Sequence, residues 1–236
     1  MSSRRAFLGL TGGMAGALLV GQAASARPFS GKSLTDYPFS LGVASGDPLP
    51  DGVVLWTRLA PRPLEGDGGM PARSVTVDWK VFANENRTKV VKEGSVRADP
   101  GLAHSVHVEV TGLQPDREYY YQFKAANEVS PLGRTRTAPA LSASPQGLSF
   151  AFVSCQNYPD GHYAAYRHLA EQDLDLVVHL GDYVYEGPAQ GTIGRGHLPA
   201  YEVRSLEDYR IRYGQYKSDP HLQSAHAAFP WLLTTD

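Results

Sequence analysis

Two kinds of hydrophobic pattern follow one another along this chain, and they predict two different architectures. Apolar residues alternate with more polar ones over 75–81, 106–110 and 119–123. This period of two is typical of half-buried β-strands. From residue 148 onward, apolar residues come instead as short unbroken runs. Between two of these runs, apolar residues recur at the spacing of an α-helix. The chain therefore predicts an all-β region followed by an α/β region.

The first pattern predicts an immunoglobulin- or fibronectin-like β-sandwich over residues 39–138. Turn residues separate its short strands, as Pro50-Asp51-Gly52 does before the strand pattern at 53–57. Leu113-Gln114-Pro115 stands a few residues before Tyr119. This order is typical of a tyrosine corner, in which the hydroxyl bonds to backbone upstream. The alternative is a plain aromatic strand.

The second pattern predicts the start of an α/β domain over residues 148–236, after a linker at 139–147. Apolar runs at 148–153 and 174–180 favour buried strands, and the spacing over 162–172 favours a helix between them. A strand, a helix and a strand in this order form a βαβ unit with parallel strands.

Three candidate metal ligands follow these two strands. Cys155 comes after the first strand, and Asp182 and Tyr185 come after the second. Ligands of open α/β sheets bind beyond the carboxyl ends of the strands. Each residue also has an ordinary explanation, because a single cysteine packs well in a core, an aspartate can cap a helix and a loop tyrosine can pack. Their convergence on one sheet edge favours a metal site.

The first 26 residues predict an export signal. Arg4-Arg5 precede an apolar run over 8–20, and Ala24-Ser25-Ala26 form a cleavage pattern of small residues. The arginine pair is similar to the twin-arginine export motif. An uncleaved membrane anchor is the alternative, but the run is shorter than the ~20 residues of a spanning helix. We therefore expect a twin-arginine signal at 1–26, a linker at 27–38, use of the twin-arginine export machinery, a periplasmic or secreted location and no permanent membrane span.

Composition excludes one class of partner. The chain has 22 basic and 24 acidic side chains, for a net charge of −2, and no long basic stripe. Charge-driven binding of nucleic acid is therefore not expected.

Several sequence blocks resemble those of one enzyme family. The segment 179–186, His-Leu-Gly-Asp-Tyr-Val-Tyr-Glu, contains a GD-x-x-Y core, and Ser154-Cys155-Gln156 forms a cysteine loop upstream. The segments 39–48 and 52–59 open the β-region. These blocks, in this order, resemble the PhoD-like alkaline phosphatase and phosphodiesterase family.

The resemblance implies a calcineurin-like metallophosphatase domain with a binuclear site of iron(III) and calcium. It implies that Cys155 and Tyr185 bind iron and that Asp182 bridges the two ions. Thiolate and phenolate suit a trivalent transition ion, whereas calcium prefers carboxylate oxygens. The implied reaction is hydrolysis of phosphate mono- or diesters by a metal-bound hydroxide or oxide. No protein nucleophile is assigned. His179 is interpreted as a core strand residue, and Tyr183 and Glu186 as supporting or packing residues.

The sequence ends at Thr234-Thr235-Asp236, where the family continues with a D-D-H-E motif. We therefore expect the N-terminal portion of a longer enzyme with an incomplete metal site, since calcium alone takes about 6–8 oxygens. His197, His221 and His226 are not interpreted as ligands. A non-catalytic secreted β-sandwich binding module and an inactive truncated fragment stay open as alternatives. Another calcineurin-like enzyme, such as a nucleotidase, is disfavoured by the β-region and by Cys155.

Overall fold

A computed structural model describes residue 34 and residues 36–234. The predicted signal at 1–26, most of the predicted linker at 27–38, and Asp236 lie outside the described residues. Among the helices of the described part, none is long and apolar enough to cross a membrane.

The described residues form two β-sheets and three α-helices. The strands are β1 Val43–Leu49, β2 Gly52–Arg58, β3 Val75–Phe82, β4 Val90–Ala98, β5 Ser105–Thr111, β6 Glu118–Ala125, β7 Glu128–Val129, β8 Gly133–Arg136, β9 Phe150–Val153, β10 Leu176–His179 and β11 Pro230–Leu233. The helices are α1 Ala164–Ala170, α2 Leu206–Lys217 and α3 Pro220–Ala228.

A sandwich with a shared core occupies the first half of the described chain. One face is an antiparallel sheet in the order β4-β3-β6-β7, with β8 also paired to β6. The other face contains β1, β2 and β5. Alternate residues of the facing strands enter one hydrophobic cluster, including Leu55, Val77, Val108 and Tyr121. The period of two therefore marked the core positions correctly at these strands.

The tyrosine corner is also confirmed. The backbone N–H of Gln114 donates to the hydroxyl oxygen of Tyr119 over 2.9 Å, and Tyr119 is buried at the entry to β6. The bond connects the strand to the turn that precedes it.

The second sheet of the sandwich continues into the α/β region. Its strand order is β5-β2-β1-β11-β10-β9, and β1 pairs in parallel with β11 through Ser45 opposite Pro230. A Cβ atom at Gly46 would lie 2.7 Å from the carbonyl oxygen of Trp231, so glycine is needed where these strands meet. The boundary predicted at 139–147 stays a prediction, because one sheet joins both halves.

The βαβ unit has the predicted parallel pairing. Strands β9 and β10 lie side by side, with Val177 opposite Ala151. Helix α1 begins only at Ala164, since Tyr163 has a left-handed φ of 53°. The prediction that β9 is a buried strand is wrong. Among the described strands it is an edge strand, and Phe150 and Phe152 share one face of it and are 51% and 69% exposed because little packs on that face.

We expect Tyr119→Phe to lower the free energy of unfolding by about 1–3 kcal/mol, because it leaves a partly buried N–H without its acceptor. Chemical denaturation measures the change. Tyr120→Phe, on the neighbouring and less buried position of β6, is the matched control and should change stability by less. Equal effects of the two substitutions would contradict a specific role for the corner.

Candidate metal centre

The loops that follow β9 and β10 are joined by backbone hydrogen bonds. The N–H of Leu180 donates to the carbonyl of Val153 over 2.8 Å. The N–H of Cys155 then donates to the carbonyl of Gly181 over 3.1 Å, and that of Gln156 to the carbonyl of Asp182 over 3.2 Å. The pairing of the strands thus extends past their ends, which places Cys155 beside the Gly181–Asp182 segment.

Two of the predicted ligands have a backbone conformation that is unusual for their residue type. The φ angles of Cys155 and Asp182 are 55° and 54°. The left-handed region costs a residue with a side chain roughly 1–2 kcal/mol. Such conformations persist when the surrounding contacts enforce them, and they concentrate at functional sites. Here the bonds between the loops supply that enforcement.

The side chain of Tyr185 joins the other two predicted ligands. Its hydroxyl donates to Oδ2 of Asp182 over 2.8 Å. The pKa of Tyr185 is raised by burial, by this hydrogen bond and by the neighbouring Cys155 thiol. All three candidates from the sequence are therefore brought together at one sheet edge.

The donor set fits one of the two implied metals better than the other. Cys155 is exposed, so a role in the core does not explain it. In the part of the chain that the structure describes, no group of three or more His, Cys, Asp or Glu side chains is placed to hold a metal. The set here is one thiol, one carboxyl and one phenol. It suits a transition ion such as iron(III), whereas a single carboxylate falls far short of a calcium site.

Gln156 fastens the two loops to the helix behind them. Its Nε2 donates to the carbonyl of Tyr183 over 2.8 Å. Its side-chain oxygen accepts from the hydroxyl of Tyr166 over 2.6 Å, and its carbonyl accepts from the hydroxyl of Tyr163 over 2.7 Å. Gln156 stands next to Cys155 in the same sequence block, but no pattern in the sequence indicates this role.

Arg212 holds the segment that follows Tyr185. The guanidinium is buried and donates to the carbonyls of Tyr185 and Gly187, and also to those of Leu198 over 3.1 Å and Pro199 over 2.9 Å. Burial lowers its pKa. The planar guanidinium thus bonds to four backbone carbonyls at once and ties the segment after Tyr185 to that of Leu198 and Pro199. The sequence offered no signal for this role, since a helix arginine usually lies on the surface.

The histidines of this region are largely internal. His179 is fully buried, as its interpretation as a core strand residue requires, and burial lowers its pKa to about 4. His226 is buried on α3, where its Nε2 lies 2.8 Å from the hydroxyl of buried Tyr183. His197 is also buried, with Nε2 2.8 Å from the hydroxyl of Tyr216. Hydrogen bonds account for both ring nitrogens of His197, whereas Nε2 of His179 and Nδ1 of His226 are buried without a hydrogen-bond partner among the described residues.

A cavity of about 520 Å³ opens beside Asp182 and Tyr185. Strands of the sandwich form its other side, through the segment 44–47 and Trp56. Helix α2 contributes Lys217. Asp182 and Tyr185 therefore face a space that both halves of the chain enclose, whereas Cys155 lines a separate depression next to α1.

Comparison with known proteins agrees with this arrangement. A model described as the PhoD-like phosphatase, N-terminal domain, matches residues 22–139, and a PhoD-like phosphatase model matches residues 150–236. The chain belongs to the PhoD-like phosphatase family.

Individual relatives give the extent of the match. Alkaline phosphatase D of Bacillus subtilis (strain 168) is 53% identical over 208 residues, which cover 86% of this chain and 36% of that protein. The solved structure of PhoD aligns with a TM-score of 0.83 and 53% identity, over 87% of this chain and 40% of that one. Purple acid phosphatase PPD1 from yellow lupin (Lupinus luteus) seeds aligns at 14% identity with a TM-score of 0.48, over 85% of this chain and 35% of that one. The chain thus spans well under half the length of these relatives.

We expect Arg212→Lys to lower the free energy of unfolding by about 2 kcal/mol or more, because an ammonium cannot reach four carbonyls at once. The exposed Arg204→Lys is the matched control and should stay within about 0.5 kcal/mol of the parent. Urea denaturation of both variants measures the difference. Unchanged stability of Arg212→Lys would mean that the four bonds do not hold the loop.

Proposed function

We propose that this chain supplies the β-sandwich and part of the metal centre of an exported phosphoesterase that hydrolyses phosphate mono- or diesters. The observation that supports it best is the convergence of Cys155, Asp182 and Tyr185 at the carboxyl ends of β9 and β10. Membership of the PhoD-like phosphatase family supports the same reaction class. Export through the twin-arginine route, with residues 1–26 as the signal, belongs to this proposal.

In the proposed centre, Cys155 and Tyr185 would hold iron(III), and the Asp182 carboxylate would contribute to the sites of both iron and calcium. The metal ions would supply Lewis-acid stabilisation of the phosphate oxygens. Cys155 reaches the site from an exposed loop, so the metal and the ester have access to it. To act as a ligand, Tyr185 would have to release to solvent the hydroxyl proton that it now donates to Asp182, and this release would also free that carboxylate oxygen.

Other residues keep this donor set in place. Gln156 fixes the loops of Cys155 and Asp182 to α1, and Arg212 fixes the backbone of Tyr185. Calcium needs more oxygen ligands than Asp182 can give, so they come from outside these three residues. The sequence predicts that Asp236 is the first residue of the D-D-H-E motif of the family.

We expect Cys155→Ala and Tyr185→Phe each to remove most of the bound iron, because each deletes an anionic donor. Elemental analysis of the purified protein measures iron and calcium. Hydrolysis of p-nitrophenyl phosphate and bis-p-nitrophenyl phosphate by the full-length protein that contains this chain tests the activity, and it should fall at least about tenfold with the lost metal. The two substrates also distinguish monoester from diester preference.

Tyr201→Phe is a matched control, since this tyrosine is exposed and its hydroxyl donates to Asp208 on helix α2 rather than to a proposed ligand. It should leave iron content and hydrolysis unchanged. Full iron occupancy in both Cys155→Ala and Tyr185→Phe would refute the ligand assignment. A parent protein that binds no metal and hydrolyses neither ester would favour a non-catalytic β-sandwich module.

A further inference from the structure

Lys217 is the last residue of helix α2, and its side chain lies against aromatic rings that line the cavity beside the candidate metal centre. Its Nζ lies 4.2 Å from the centroid of the Trp56 ring and 5.7 Å from that of Tyr183. Trp56 belongs to the sandwich strand β2, and Tyr183 directly follows Asp182. The ammonium thus stands where the sandwich meets the loop of the proposed ligands.

No counter-ion accompanies this ammonium within residues 36–234. The ion pairs of this part of the chain do not include Lys217, although Asp47, Asp182 and Glu186 also line the cavity. Burial without a neighbouring carboxylate lowers the pKa of Lys217 to about 7. An ammonium carries three donors, and aromatic ring faces accept from them only weakly.

Two histidines share the cavity with Lys217. His107 on β5 and His226 on α3 line the same cavity, and the pKa of each is lowered by burial and then by the charge of Lys217. A smaller cavity of about 390 Å³ lies on another side of Trp56 and Lys217. Arg58 and Arg210 line it, and its lining contains no carboxylate.

We propose that Lys217, seated on Trp56, forms an oxyanion subsite that binds a phosphate or carboxylate group on the organic part of the ester. The cavity has room for such a group beside the centre, since it holds about 520 Å³. An oxyanion would supply both the counter-charge and the hydrogen-bond acceptors that the ammonium lacks. As a subsite of the enzyme, it rests on the proposed function. The enzyme would then prefer esters whose alcohol carries a second acidic group.

Binding of inorganic phosphate to the chelator-treated, metal-free chain tests the subsite separately from the metal centre. Trp56 lies against Lys217, so its fluorescence reports an anion that arrives there, and Trp56→Phe should abolish the signal. We expect saturable binding that Lys217→Met weakens about tenfold or more, the effect of losing one charge-assisted hydrogen bond. Lys217→Arg should retain binding because it keeps the charge.

The exposed Lys124→Met on β6 is the control for a general loss of positive charge, and it should bind phosphate like the parent. Circular dichroism of each variant checks that it folds. If folded Lys217→Met binds phosphate as tightly as the parent, or if the parent shows no saturable binding, the subsite is refuted. Loss of binding in Lys217→Arg as well would also refute it, because the charge alone should suffice.

A matched substrate pair then tests the preference in the metal-loaded, full-length protein. We expect kcat/KM for 3-carboxyphenyl phosphate relative to phenyl phosphate to fall about tenfold in Lys217→Met. An unchanged ratio would refute the preference. If the parent hydrolyses neither ester, the proposed function fails, whereas the phosphate titration still decides whether the subsite exists.

Discussion

The candidate centre depends on the backbone hydrogen bonds that continue from β9 and β10 into their loops. Parallel strands end together, but their loops usually diverge as each turns toward its own helix. Here Cys155 and Gln156 pair with Gly181 and Asp182 beyond the last strand residues. The pairing joins the two loops at the residues that have left-handed conformations, Cys155 and Asp182. Without it, the three donors would have no reason to meet.

Buried polar side chains, more than apolar contacts, reinforce this arrangement. Gln156 and Arg212 are both buried, and both direct their hydrogen bonds to backbone carbonyls or tyrosine hydroxyls of the site. Such networks gain little net stability over an apolar core, but a fully bonded network admits few alternative geometries. That property suits a metal site, where ligand positions matter within fractions of an ångström.

Local patterns were sufficient to predict much of the fold and the proximity of Cys155, Asp182 and Tyr185. The alternation located β3, β5 and β6, and the order of Gln114 and Tyr119 predicted their hydrogen bond. The pairing of β1 with β11 could not be predicted, because it joins residues far apart in sequence. The only residue that it visibly constrains is Gly46, and a single glycine does not identify a strand pair. Arg212 and Lys217 were missed for a related reason. Both lie on a helix whose buried face is polar, so periodicity does not mark them.

The continuous sheet gives the sandwich a direct part in shaping the site. Because β1 pairs with β11, and β2 lies next to β1, Trp56 reaches the cavity that Asp182 and Tyr185 also line. A β-domain attached by a flexible linker could not keep an aromatic wall in register with metal ligands on another domain. The parallel contact at Gly46 removes that freedom, since it fixes the strands of both halves in one hydrogen-bonded ladder. Changes on the inner edge of the sandwich can therefore alter the shape of the cavity, even though the sandwich contributes none of the proposed metal ligands.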